Sequence, residues 1–311
     1  KGCGGLHTLS KDKLHALVRA SIEEYIDRVL PDLCEKSARF RYLFNRLCAA
    51  VERIMDEVSE ELQSSDFEPL AFELAFGADG QLPAITIREE NGTARVVGKV
   101  DRVDGWLHDG KLYLRVVDYK TGKKSFDLAE LRYGLGLQML LYLFTLKEEG
   151  QMLFGGHEIV PAGVLYTPAR EPMLRCARDT EPEKIEKALK KELRRSGMVL
   201  EDPAVLQAME HSALESPCYL PIAVKRDGAV TGSLASAEQL GKLSKYVDHI
   251  LHEITQEVFA GNIDADPYAR TPQQSACTYC EFASACHFEN GCGSDRMEYI
   301  KATKNDEFWQ Y

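Results

Sequence analysis

The sequence predicts an α/β protein, a mixed β-sheet flanked by helices. Short apolar runs of period two gather between Phe67 and Tyr166, and amphipathic segments of period three to four lie on both sides of them. Neither a fixed-period repeat nor a low-complexity tract interrupts this pattern.

From Ser10 to about Leu30 the residues Leu14, Leu17, Val18, Ile22, Tyr25, Ile26 and Val29 recur at three and four, which predicts a helix that Pro31 stops. A second helix is expected from about Ala38 to Leu62. In "FEPLAFELAF" strict alternation would put Leu70, Phe72, Leu74 and Phe76 on one face and Ala71, Glu73 and Ala75 on the other, leaving a lone carboxylate between two small residues. Ala84 to Arg88, Arg95 to Asp104 and Lys111 to Lys120 read as further strands. Asp127 is placed to cap a helix running to about Lys147, and Ile159 to Tyr166 is the next strand. Beyond it the chain is expected to turn helical, over Pro182 to Gly197, Pro203 to His211 and Ser236 to Phe259. The expected organisation is one domain, with N-terminal helices at 1–65, an α/β core at 66–170, a helical region at 171–262 and a cysteine-bearing segment at 263–311. The opening "KGCGG", which lacks an initial Met, reads as the start of a segment cut from a longer chain.

A chain 44% apolar and 28% charged has an ordinary globular balance, and no apolar run approaches the ~18 residues of a membrane helix. A soluble protein is expected. Of the nine cysteines, Cys3, Cys34, Cys48, Cys176, Cys218 and Cys292 follow no framework spacing, which argues against a secreted disulfide scaffold and for a reducing cytoplasm. Cys34, Cys48, Cys176 and Cys218 read as core residues. The net charge of −11 disfavours a basic nucleic-acid coat, yet it is compatible with a local basic groove or with carboxylates gathered around a cation.

The stretch "GKVDRVDGWLHDGKLYLRVVDYKTGKK" concentrates the chemistry. Asp109-Gly110 signals a two-residue hairpin turn, and pairing His108 with Lys111 sets Asp101 opposite Asp118. Val103 and Val116, and Lys120 two residues past Asp118, then project from the same side. Two carboxylates about 4 Å apart repel by roughly 4 kcal/mol at an effective dielectric of 20. A divalent cation would offset this, and Mg²⁺ suits one or two carboxylates with waters completing its shell. Two solvated strand ends would explain the same spacing without chemistry.

Neighbouring features favour the cation. Glu73 could add a third oxygen ligand or a base. Gln138 and Tyr142, four apart on an apolar helix, share one face, and a buried Gln needs partners. Lys99, Arg102, Lys123 and Lys124 surround the carboxylates with positive charge. Two other segments are weaker. "GWLHDGKL" imitates a phosphate-binding loop, but Leu112 stands where Ser or Thr would hold Mg²⁺ and no helix follows. "KALKKELRRSG" could track a nucleic-acid backbone, although such a run is more often the wet face of a helix.

Gly98 to Arg102, then Asp118-Tyr119-Lys120, then Gln138 to Tyr142 resembles the GxxDR, DYK and QxxxY signatures of RecB-type PD-(D/E)xK nucleases. "FELAFG", "GKVDRVD", "LRVVDYKTGKKSFDLAELRYGLGLQMLLYL" and "PAGVLYTP" are similar to the nuclease domain of AddB-type helicase-nuclease subunits, from about Phe67 to Cys286. The resemblance implies a restriction-endonuclease-like core in which Asp101, Asp118 and Glu73 hold Mg²⁺ and Lys120 supports the attacking water. Gln138 and Tyr142 would position the site or the strand. It implies an exodeoxyribonuclease that cuts the 5′-ended strand during double-strand-break repair, working on unwound DNA beside an AddA-type helicase-nuclease partner. A free-standing exonuclease with the same core, or a non-catalytic DNA-binding scaffold, is the alternative. Such nucleases usually carry a histidine on an early helix. His15 lies too near Glu73 for that role, so the true histidine is expected upstream of residue 1.

Cys277, Cys280 and Cys286 form C-x2-C-x5-C, three ligands of a possible tetrathiolate site, and spacing alone does not separate zinc from an iron-sulfur centre. The resemblance implies a [4Fe-4S] cluster whose fourth ligand lies far upstream, with Cys3 a candidate and Cys292 outside the pattern.

Overall fold

The hairpin that Asp109-Gly110 announces is formed. Both residues have positive φ, 49° and 78°, as the tight turn demands, and they join β4 (Gly98–His108) to β5 (Lys111–Lys120). This also disposes of the phosphate-loop imitation, whose residues are the hairpin itself. The computed structural model describes residue 5, residues 8–303 and residues 305–309.

Two helices precede the sheet, α1 (Lys11–Val29) and α2 (Ala38–Gln63), the latter capped by Ser37, whose side chain accepts from the amide of Phe40. They are joined by Asp56, which lies 2.7 Å from Nε2 of His15 and 3.0 Å from Nζ of Lys11. His15 is thus a partner within the helix pair. Next come β1 (Glu68–Phe76), the hairpin of β2 (Ile85–Glu89) and β3 (Gly92–Val96), and then β4 and β5. The expected strand from Arg95 to Asp104 is therefore two, split at Val97.

The single helix expected from Asp127 to Lys147 is also two, α3 (Leu128–Leu131) and α4 (Gln138–Glu149). Asp127 caps the first as expected, through the amide of Ala129. Gly134 and Gly136, both at φ +71°, turn the chain between them, a conformation that would end any α-helix. α4 then crosses over the sheet to β6 (Glu158–Pro168), which pairs parallel with β5.

The region beyond residue 171 was expected to be helical, and it is only partly so. α5 (Pro182–Glu192) is followed by β7 (Ser196–Leu200), α6 (Pro203–Met209), the small hairpin of β8 (Ile222–Val224) and β9 (Val230–Gly232), and β10 (Leu234–Ala235). β7 and β10 complete a six-stranded mixed sheet of order β1-β4-β5-β6-β7-β10. "SGMVL" escaped as a strand because it follows a lysine-rich helical pattern without a break. α7 (Ala237–Ala260) opens on a capping box between Ser236 and Gln239 and closes at Gly261. A three-stranded sheet of β11 (Tyr268–Thr271), β12 (Gln274–Ser275) and β13 (Glu298–Tyr299) carries the short helix α8 (Ala283–Cys286), and α9 (Asn305–Phe308) ends the described chain.

The core lies where α4 covers the sheet and α7 covers α4, with Leu114, Val116, Leu140, Leu143, Val164, Leu165 and Leu243 all buried. Among the described residues no helix is long and apolar enough to cross a membrane.

Candidate functional site

β4 and β5 are paired as far as Arg102 with Val117, in the register expected from the turn, so Asp101 and Asp118 come next along it. There the Asp101 carboxylate replaces a ladder bond: its Oδ2 accepts the amide N–H of Tyr119 at 2.9 Å. Asp118 is buried, 7% exposed, and Nζ of Lys120 stands 2.6 Å from its Oδ2. The ammonium approaches off the hydrogen-bonding direction, so that buried oxygen has a charge partner and no directed donor. Burial raises the Asp118 pKa above the ordinary carboxylate value, Asp101 adds to the rise, and Lys120 opposes it. Tyr166, which pairs with Asp118 across β6, has its phenol pushed up to about 12 by burial and by that same carboxylate.

Glu73 falls between Phe72 and Leu74, whose β4 partners Arg102 and Val100 flank Asp101, so one row of the sheet carries Glu73, Asp101 and Asp118. Its side chain is not turned to the other two. Glu73 has φ +52° and is largely exposed, and its carboxylate is ion-paired with Lys99. The alternation expected along β1 fails here. A bulge between Pro69 and Ala71 and the left-handed residue at 73 leave Leu70 and Phe72 exposed while Leu74 and Phe76 are buried.

Gln138, expected to be buried, is exposed at the first position of α4, and its Nε2 donates to the Tyr142 hydroxyl at 3.0 Å. Tyr142 is buried and stacked on Phe76, with ring centroids 5.4 Å apart. Its hydroxyl presses on Gly98, where a Cβ would come within 2.5 Å of it. The two outlying motifs therefore meet at one contact. Among the described residues no three His, Cys, Asp or Glu side chains converge into a ready-made metal site.

Residues 6–287 match the family model for the PD-(D/E)XK nuclease superfamily. The chain belongs to that superfamily. It is 32% identical over 93% of its length to the B subunit of the ATP-dependent helicase/deoxyribonuclease of Ruminiclostridium cellulolyticum. It is 33% identical over 97% to that of Acetivibrio thermocellus, and 32% over 93% to that of Clostridium botulinum (strain Loch Maree / Type A3). The chain spans about a quarter of the length of these relatives, 25%, 26% and 25% respectively.

The nuclease fold carries a feature that the sequence reading missed. Arg102, expected near the substrate, is fully buried and makes a bidentate contact with Asp104, at 2.9 and 3.0 Å, while its Nη1 donates to the Tyr119 hydroxyl at 2.6 Å. Arg115 joins Asp104 at 2.9 Å and Glu61 of α2 at 3.4 Å, and Arg195 of the β6–β7 connection closes on Glu61 at 2.6 Å. Burial alone would raise Glu61, but Arg195, Arg115 and Arg102 bring it down to about 2. This network ties α2, β4, β5 and the approach to β7 beneath the residues that flank Asp101 and Asp118. Its signal in the sequence was an arginine set amid Leu114, Val116 and Val117.

Of the four cations expected around the carboxylates, Arg102 is thus consumed internally, Lys99 is held by Glu73 and Lys123 lies 3.2 Å from Glu192. Lys124 makes no ion pair among the described residues. The cysteine segment does not form a closed ligand set. Cys277 and Cys280 bracket a turn, with the Cys280 amide 3.3 Å from the Cys277 carbonyl, but Cys280, Cys286 and Cys292 are exposed free thiols and no fourth ligand joins them among the described residues. Among the described residues these thiols do not converge into a ready-made metal site. Cys3 lies outside the described residues. Cys176 is exposed and Cys48 and Cys218 half-buried, so none is the core cysteine expected, and nothing is described of the Cys34 side chain.

Proposed function

We propose that the chain is a Mg²⁺-dependent deoxyribonuclease domain that hydrolyses phosphodiester bonds of single-stranded DNA. The observation that carries this reading is the Asp101, Asp118 and Lys120 constellation at the open end of the β4–β5 ladder. The donor set fits a divalent cation, since Asp118 offers a buried oxygen without a directed donor and Asp101 stands beside it, and Mg²⁺ commonly takes only one or two carboxylates. Bound there, the cation would polarise the phosphodiester and make water acidic enough to attack near neutral pH. Asp101 and Asp118 would hold it, and Glu73 would be free to join them if released from Lys99. Lys120 holds the attacking water or a phosphate oxygen, and Gln138 and Tyr142 fix the α4 side of the site.

By analogy with the helicase/deoxyribonuclease subunits it resembles, the domain degrades the 5′-ended strand delivered by an AddA-type motor partner during double-strand-break repair in the cytoplasm. The deciding assay is cleavage of a labelled single strand with Mg²⁺ or chelator. Cutting that requires Mg²⁺ and disappears in Asp118→Ala supports the proposal. Binding without cutting, in an N-terminally extended chain as well, would leave the fold as a DNA-binding scaffold.

A further inference from the structure

A cleft of about 300 Å³ opens beside Lys120, between the β5–α3 loop, the end of β6 and the α5–β7 junction. Six cationic side chains line it, Lys120, Lys123, Lys124, Arg170, Lys191 and Arg194, against a single carboxylate, Glu192. That carboxylate is already engaged by Arg170 at 3.1 Å and Lys123 at 3.2 Å. Arg194 is held in place by the Pro217 carbonyl at 2.6 Å. Lys124 and Lys191 are exposed and make no ion pair among the described residues, so their charge is available to a ligand. In a chain of net charge −11 such a concentration is no reflection of the average surface.

The cleft and the carboxylate site share two residues. Lys120 touches Asp118 and lines the cleft, and Tyr166 pairs with Asp118 along β6 and forms the cleft wall. We infer that this cleft is the binding track for the phosphodiester backbone flanking the scissile phosphate, with Lys124 and Lys191 as its principal phosphate contacts. The inference rests on the nuclease reading for the identity of the strand. It also alters the reading of "KALKKELRRSG": the run is a solvated face whose end, Lys191 and Arg194, turns into the cleft, while Arg195 is buried on Glu61.

The test is binding of a labelled single strand of about 12 nucleotides in chelator, so that affinity is read without cleavage. The double variant Lys124→Ala/Lys191→Ala removes only exposed side chains and is compared with Lys225→Ala/Lys245→Ala, an equal charge loss elsewhere. The cleft variant is expected to bind at least about 10-fold more weakly, with a salt dependence shallower by about 1.4 in log–log slope, near 0.7 for each phosphate that is no longer neutralised. The control pair should change affinity less than about twofold. Absence of binding by the unmodified chain, or unchanged affinity and slope in the cleft variant, overturns the inference. Cleavage in Mg²⁺ separates the two claims. A cleft variant that binds and cuts like the unmodified enzyme sinks the track alone, whereas cleft-dependent binding by a chain that never cuts sinks the nuclease reading.

Discussion

Nζ of Lys120 lies 2.6 Å from Oδ2 of Asp118, where it opposes the rise in pKa that burial and Asp101 impose on that carboxylate. On the proposed reading a divalent cation would be held by that same oxygen, and Lys120 would then serve water or a phosphate oxygen instead. The two residues then fail differently. Asp118→Ala should lose Mg²⁺ binding and cleavage together, by on the order of 10³-fold in rate. Lys120→Ala should keep Mg²⁺ affinity while the single-turnover rate falls by about 10²-fold. Calorimetric titration of Mg²⁺ alongside single-turnover cleavage distinguishes them, and parallel loss of metal binding in both variants would contradict separate roles.

Gly98 is required for a steric reason. A methyl group there would meet the Tyr142 hydroxyl at 2.5 Å and its ring at 2.9 Å, and Tyr142 is hemmed in by Phe76. Gly98→Ala should therefore displace Tyr142, break its bond to Gln138 and cost roughly 1–3 kcal/mol of stability with a fall in cleavage. Gly241→Ala on α7, whose added methyl meets nothing within 4 Å and which lies outside the cleft, is the control. Urea unfolding and cleavage rates of the two should diverge, and equal behaviour would mean that this contact does not constrain the site.

The hairpin and its register up to Arg102 and Val117, one step short of Asp101 and Asp118, were legible because Asp-Gly fixes a turn and a turn fixes register. What lay beyond local pattern was not. The bulge near Leu70 and the positive φ at Glu73 rotate side chains without leaving a mark in "FEPLAFELAF", so Glu73 could be placed in the right row but not in the right direction. Arg102 reads as an exposed cation in a charged motif, and only its buried partners Asp104 and Tyr119, with the charge of Glu61 on α2 nearby, explain why it is buried. β7 was hidden for a similar reason: a short apolar run after a basic helix becomes a strand because β6 and β10 await it, which is information held by the sheet.

Glu73 belongs to the acidic row but is engaged by Lys99, so its contribution should be smaller than that of the aspartates. Glu73→Ala is expected to lower cleavage about 10-fold, against about 10³ for Asp118→Ala. Lys99→Ala, which releases the carboxylate toward Asp101, should leave cleavage unchanged or increase it. Rates measured across Mg²⁺ concentrations provide the check. A Glu73→Ala loss as deep as that of Asp118→Ala would make Glu73 an obligatory ligand.

Glu61 anchors α2 to the underside of the sheet through Arg195 and Arg115, and its pKa of about 2 lies below the ordinary 4.5 because the folded chain favours its charged form. As pH falls, the unfolded chain takes up this proton first. The stability Glu61 contributes is complete above about pH 4.5 and drains away as pH drops toward 2, amounting to about 3 kcal/mol in all. Glu61→Gln leaves the buried arginines without this counter-charge, so it should be about 3–5 kcal/mol less stable at neutral pH and lose less on acidification than the unmodified chain. Urea unfolding at neutral pH and near pH ~3 measures both effects, since the contribution is set by the gap between folded and unfolded proton uptake. If the two proteins lost equal stability between those conditions, Glu61 would not be the ionised anchor of the network, and the coupling of α2 to the strands bearing Asp101 and Asp118 would have to arise from apolar packing instead.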